Sequence, residues 1–185
     1  MHKALYLTSL LTGFAIAPAV VAQERVIPML NQGTKELALS GTVEFQKIDE
    51  IDFDIDAAYG YFVRDGWEIG VRVLGADYGG IERFDISAFT EYNFIRQSNI
   101  VPYIGTSVGV ATFKYDGRFD SSTTLGDDGE ATVFEVQAGI KWFLRPYMAI
   151  STSIGFNVSS DDIYATEDDL RDNLTRFRIG LRYYF

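Results

Sequence analysis

The stretch GTSVG at positions 105–109 matches G-x-S-x-G, the turn that presents a nucleophilic serine in one group of hydrolases. That chemistry needs a strand-to-helix elbow and a base in hydrogen-bond reach, usually histidine. The single histidine is His2, and Ser107 sits inside an alternating run rather than at an elbow. Ser107 therefore reads as a small residue facing a crowded interior. No catalytic, cofactor-binding or metal-binding residue is assigned, and the chain reads as a non-enzyme.

Two stretches concentrate carboxylates, DDGE at 127–130 and DDIYATEDD at 161–169. A calcium loop needs oxygens at fixed intervals, and neither stretch has the EF-hand spacing. They read as solvated acidic loops. NVS at 157 and NLT at 173 match the N-glycosylation pattern but lie at strand ends.

The third constellation is a set of charges spaced by two. Glu44, Asp54, Asp56, Glu68, Asp85, Glu91 and Glu135 supply acids; Arg72, Arg83, Lys141, Arg176, Arg178 and Arg182 supply bases. Each alternates with apolar neighbours, as in "RFRIGLRYYF" at the end of the chain. Near-balanced charge on one face of a wall has two readings, an ion path or a salt-bridged plug that neutralises buried charge. The interior of an eight-stranded barrel can be filled by side chains, which favours the plug.

The elements that must hold these charges are eight segments of period-two alternation. They are KELALSGTVEF (35–45), DFDIDAAYGYFV (52–63), WEIGVRV (67–73), RFDISAFTEYNF (83–94), VPYIGTSVGVATF (101–113), TVFEVQAGIKWFL (132–144), MAISTSIGFNV (148–158) and the tail from Asn173. Parity places Leu37, Tyr59, Ile69, Ile86, Ile104, Val136, Ile154 and Leu181 on the apolar face. Connections after the second, fourth and sixth segments are short, those after the fifth and seventh are long and acidic, and those after the first and third are short as well, so the alternation is partial. Transmembrane barrels pair short periplasmic turns with longer extracellular loops. Tyr59, Tyr61, Trp67, Tyr92, Phe94, Trp142, Tyr183 and Phe185 fall at one end of the segments, and Phe45, Phe53, Phe84, Phe134, Phe156 and Phe177 at the other. Two aromatic girdles around an aliphatic band belong on the outside of a bacterial barrel. Parity at the second turn requires a three-residue loop, Arg64-Asp65-Gly66, with Gly66 left-handed, and sets Arg72 opposite Ala58 and diagonal to Asp56. In hydrocarbon an open edge leaves backbone groups unpaired, so the eighth strand must pair with the first.

Composition agrees. The chain has 11 Tyr, 14 Phe and 2 Trp, 17 Gly, no cysteine and a formal net charge of −10, which argues against a nucleic-acid partner. A mean hydropathy of +0.01 excludes a helical membrane bundle. Lys3, the uncharged run from Ala4 to Ala22 and the small residues before Gln23 form a signal-peptide pattern, with cleavage expected after Ala22. The expected organisation is a signal peptide at 1–22, a periplasmic lead-in at 23–34 and a barrel at 35–185.

In "AYGYFVRDGWEIGVRV", "FTEYNF", "VPYIGTSVGVA", "QAGIKWFL" and "RFRIGLRYYF", taken in order with "KELALSGTVEF", the chain resembles the small eight-stranded outer-membrane barrels of Gram-negative bacteria: the OmpX type, the OmpA transmembrane domain and the opacity-like porin group. The resemblance implies an all-β, up-and-down antiparallel barrel in the cell outer membrane. It implies contact with outer-membrane lipid and lipopolysaccharide, and handling by periplasmic chaperones and the barrel-assembly machinery. It further implies that Leu181, Tyr183 and Phe185 form the assembly signal. The expected role is structural or adhesin-like, by a monomer whose loops 116–130 and 159–172 are the contact surfaces. A narrow channel for small solutes or ions is the alternative, and a soluble periplasmic ligand-binding barrel the second.

Overall fold

The computed structural model describes residues 26–42, 53–77, 81–115, 129–165 and 170–185. The signal-peptide segment, Glu44, Phe45 and most of the 116–130 loop lie outside the described residues.

Eight strands form the wall: β1 (Lys35–Thr42), β2 (Phe53–Arg64), β3 (Trp67–Asp77), β4 (Ile81–Asn93), β5 (Ile100–Tyr115), β6 (Gly129–Arg145), β7 (Met148–Ser159) and β10 (Asn173–Tyr184). A small hairpin, β8 (Tyr164–Ala165) with β9 (Leu170–Arg171), lies in the connection between β7 and β10. Each wall strand pairs antiparallel with its neighbours, and β1 pairs with β10, so the sheet closes. The seam ends in reciprocal backbone hydrogen bonds: Lys35 N–H donates to Phe185 O at 2.8 Å, and Phe185 N–H to Lys35 O at 3.0 Å. Closure satisfies the edge strands, the condition for strands to cross hydrocarbon.

Alternation sets the polarity of the wall. Leu39 (58% exposed), Val71, Phe84, Val108, Phe134, Ile154 (57%) and Leu181 point outwards, while the charged residues between them are buried. This is inside-out relative to a water-soluble barrel and rules out a soluble barrel with an apolar interior. Such a wall needs a bilayer around it. Trp67, Tyr92, Trp142, Tyr183 and Phe185 are exposed at the end that carries the described strand termini and short turns; Phe84, Phe134 and Phe156 are exposed nearer the other. Phe177 is half-buried, and Leu174 beside it packs inwards under the β7–β10 connection.

The β2–β3 turn differs in detail from expectation. Arg64 pairs with Trp67, and the register shifts between Phe62 and Arg64. The chain thus turns on Asp65–Gly66, and a bulge at Val63, rather than a third loop residue, preserves the parity of the two faces. Gly66 has φ +73°, a left-handed backbone that suits glycine. Arg72 stands opposite Ala58.

Apolar clusters lie at both ends of the lumen. At the turn end the irregular segment 26–34 folds under the barrel and inserts Leu30, wholly buried, against Phe62, Val101, Phe143, Ala149 and Tyr184. Backbone bonds fasten it: Gly66 N–H donates to Leu30 O at 2.8 Å, and Met29 N–H to Pro146 O at 2.9 Å. At the loop end Ile163 and Tyr164 pack onto Ala111, Phe113, Ala131 and Val133.

Candidate functional site: the charged lumen

Between the two apolar plugs the interior is built from charge. Inward positions on the wall strands bring the side chains together at three heights.

The layer nearest the turns holds Glu36 on β1, Glu68 on β3, Glu91 on β4, Lys141 on β6 and Arg182 on β10, all buried. Lys141 Nζ lies 3.0 Å from Glu36 Oε2, 3.6 Å from Glu68 Oε2 and in contact with Glu91 Oε1. Arg182 Nη1 donates to Glu36 Oε1 at 2.6 Å and to Glu91 Oε2 at 3.3 Å, and its Nη2 donates to the Tyr103 hydroxyl at 3.2 Å. The Tyr103 ring lies 5.1 Å from the Lys141 ammonium and 5.0 Å from the Arg182 guanidinium, adding cation–π attraction to both. Space for Glu68 comes from Gly60, where a Cβ would overlap the Glu68 carboxylate.

The middle layer is a four-membered exchange. Arg72 reaches Asp56 at 3.3 Å and Glu135 at 3.0 Å; Arg178 reaches the same two acids at 3.3 Å and 2.6 Å. Arg72 also stands over the Phe89 ring at 5.3 Å. The upper layer pairs Arg83 with Asp85 through a bidentate contact, Arg83 Nε lying 2.6 Å from Asp85 Oδ1. Asp54 accepts from the Thr42 backbone N–H at 2.7 Å. Tyr164 closes this layer from above, its ring 4.7 Å from the Arg83 guanidinium and 5.5 Å from that of Arg176. Burial raises the Tyr164 phenol above its ordinary range, against the pull of Arg83 and Arg176.

A cavity of about 30 Å³ lies between the middle and upper layers, lined in part by Arg72, Asp85, Ser87, Glu135 and Arg178. That is room for about one water. Among the described residues, paired charges therefore fill the axis between the two apolar clusters. Ser107 lies within β5, inward and half-buried, opposite Phe89 and Glu135, so the G-x-S-x-G stretch forms a strand and not an elbow.

Twelve of the thirteen charges read from the sequence lie on inward positions of the described strands. Glu44 lies outside the described residues. Sequence reasoning missed Glu36, although its parity with Ala38 and Ser40 points it inwards. It also missed Tyr103 and Tyr184 as cation-stacking rings, and the two plug residues Leu30 and Tyr164. Leu181, Tyr183 and Phe185 all face outwards, with the Tyr183 and Phe185 rings stacked at 6.0 Å between centroids. In the 159–172 connection Ser160–Asp162 are exposed, whereas Ile163 and Tyr164 turn into the mouth; 166–169 lie outside the described residues.

No family model matches the sequence, and comparison with curated proteins gives no match. Solved structures match the fold. The N-terminal β-barrel domain of Pseudomonas aeruginosa OprF aligns at a TM-score of 0.61 and 15% identity, over 83% of this chain and 98% of that one. Neisserial surface protein A aligns at 0.56 and 17%, over 82% and 95%, and OprG of Pseudomonas aeruginosa at 0.53 and 15%, over 86% and 99%. Ail of Yersinia pestis, in phospholipid nanodiscs, aligns at 0.53 and 13%, over 83% and 100%. The chain has the fold of the small eight-stranded outer-membrane barrels.

Proposed function

We propose that the protein is an outer-membrane barrel whose wall and lumen are structural and whose activity resides in the connections at the loop end. There it acts as a surface-interaction, adhesin-like module. The observation that supports this reading is the filled interior: three layers of paired charge lie between two apolar clusters, as expected of an eight-stranded barrel whose side chains occupy its lumen. The fold shared with Ail, an attachment invasion locus protein by name, is in keeping with such a role. The acidic connections at 116–130 and 159–172 are the candidate contact surfaces.

In this reading the aliphatic band meets outer-membrane lipid and lipopolysaccharide, the turn end faces the periplasm, and the barrel acts as a monomer. Leu181, Tyr183 and Phe185 serve as the outward-facing ladder read by the assembly machinery. The test is planar-bilayer recording of refolded protein. The structural reading expects no steady unit conductance. Large, stable unit currents would replace it with the narrow-channel alternative. Quenching of Trp67 and Trp142 fluorescence by brominated acyl chains tests the orientation of the wall independently.

A further inference from the structure

The charge layer nearest the turns does not balance. Glu36 and Glu91 each bridge Lys141 and Arg182, closing a neutral ring of two carboxylates and two cations. Glu68 stands outside that ring. It is the direct cross-strand partner of Glu91, and like charges in that position repel even on a solvated sheet. It is wholly buried, Lys141 Nζ comes no nearer than 3.6 Å, and neither of its oxygens accepts a hydrogen bond. On β10, directly opposite Glu36 in the seam, the Tyr184 hydroxyl is also buried in this layer. One oxygen from each of Glu36, Glu68 and Glu91 lies within 4.8 Å of the others. Among the described residues the other two layers balance, Asp56 and Glu135 against Arg72 and Arg178, and Asp54 and Asp85 against Arg83 and Arg176, so the excess acid lies in this layer. An uncompensated buried carboxylate is costly, so the native barrel needs one more positive charge at this point.

We propose that Glu68, with Glu36 and Glu91 as flanking oxygen donors, is a binding site for one additional small cation. Carboxylate oxygens select hard cations, and a single unit charge completes neutrality. A proton and an alkali metal ion share that chemistry. Gly60 provides the volume, because any larger residue there would fill the space the Glu68 carboxylate occupies. The charged and titratable groups facing Glu68 are Glu36 from β1, Glu91 from β4, Lys141 from β6, and Arg182 and Tyr184 from β10, with the Tyr103 ring of β5 stacked on Lys141 and Arg182. The inference is independent of what the outer loops bind.

The test is urea unfolding of the full barrel refolded in lipid, comparing wild type with Glu68→Gln, which keeps the shape and removes the charge. One arm varies sodium or potassium against choline at constant ionic strength; the other varies pH at fixed salt. An ion held only by the native state shifts the folded-to-unfolded ratio by up to about tenfold for each tenfold change in that ion. A wild-type gain over Glu68→Gln that grows with alkali ion identifies a metal. A wild-type advantage that falls as pH rises identifies a proton, because the native state then binds more protons than the unfolded chain. A wild-type-to-variant ratio flat in both arms overturns the proposal. Should Glu68→Gln fail to refold, wild type alone decides. The carbonyl stretch of a protonated carboxylic acid, or one alkali ion per barrel after dialysis, supports the site, and the absence of both overturns it.

Discussion

Replacing Arg178 by methionine removes a guanidinium from the middle layer and roughly keeps its length. In the native barrel Arg178 and Arg72 share Asp56 and Glu135, at distances of 2.6 to 3.3 Å, so two positive groups balance two negative ones. The variant leaves Arg72 as the remaining cation in ion-pair contact with both acids. Breaking a buried pair by deleting one partner costs about 3–5 kcal/mol, mainly because the surviving charge stays desolvated. Arg72 still touches both carboxylates, which places the expected loss near the low end, about 3 kcal/mol. That is about a hundredfold in the folding equilibrium. Arg178→Met combined with Glu135→Gln restores one acid to one base and should recover most of the loss, with a coupling of about 1–3 kcal/mol between the two sites. The assay is urea unfolding in lipid vesicles, followed by the fluorescence of Trp67 and Trp142, which lie on the outer wall away from the substitution. A loss below about 1 kcal/mol for Arg178→Met, the range of solvated ion pairs, would refute the reasoning. So would a double variant no more stable than the single one. In either case the middle layer is wet and its charges are solvated.

Leu30→Ala should cost about 2–5 kcal/mol in unfolding experiments, as for other fully buried leucines, yet leave planar-bilayer currents closed because the charge layers stand behind the plug. Gly60→Ala should destabilise the barrel by about 1–3 kcal/mol through overpacking against Glu68, and adding Glu68→Ala should relieve it; unfolding midpoints of the single and double variants decide the point. Tyr164→Ala, losing a buried ring from the loop-end cluster and two cation–π contacts, should cost about 3–5 kcal/mol. Ultraviolet titration should show the Tyr164 phenolate forming above the usual tyrosine range. With the phenol raised in the folded state, its contribution to stability is full below pH 10 and is lost as pH rises through the folded value. Phe185→Asp should lower outer-membrane levels and leave material in the periplasm, as read by cell fractionation.

Period-two alternation carried most of the architecture, because in a closed wall each residue has only two environments. Arg72, Arg178 and Arg182 could be placed inwards from their apolar neighbours alone. Which acid each would meet could not, since that depends on the stagger between strands distant in sequence: Arg182 and Glu91 are 91 positions apart, and Lys141 and Glu36 are 105 apart. Glu36 escaped notice because it is the second residue of its strand, where a period has barely begun. Leu30 and Tyr164 lie in segments with no period, and what draws them into the mouths is an exposed apolar rim that exists only once the wall has closed. The bulge at Val63 shows the same limit, as parity demanded an extra residue but did not say which backbone position would absorb it.

The charge layers also bear on how the barrel finds its stagger. The outer wall is permissive, since sliding β10 past β1 by two residues keeps every side chain on its proper face and still shows lipid an apolar surface. Backbone pairing is equally indifferent to such a slide. The lumen is not. In the native alignment Ala38 faces Arg182 and Thr42 faces Arg178 across the seam, which sets Arg182 level with Glu36 and Glu91 and Arg178 level with Asp56 and Glu135. A two-residue slip moves each guanidinium off its carboxylates and strands both in a dry interior. The ionic rungs thus act as a combination lock on barrel shear, rejecting near-native closures that the hydrophobic exterior cannot tell apart.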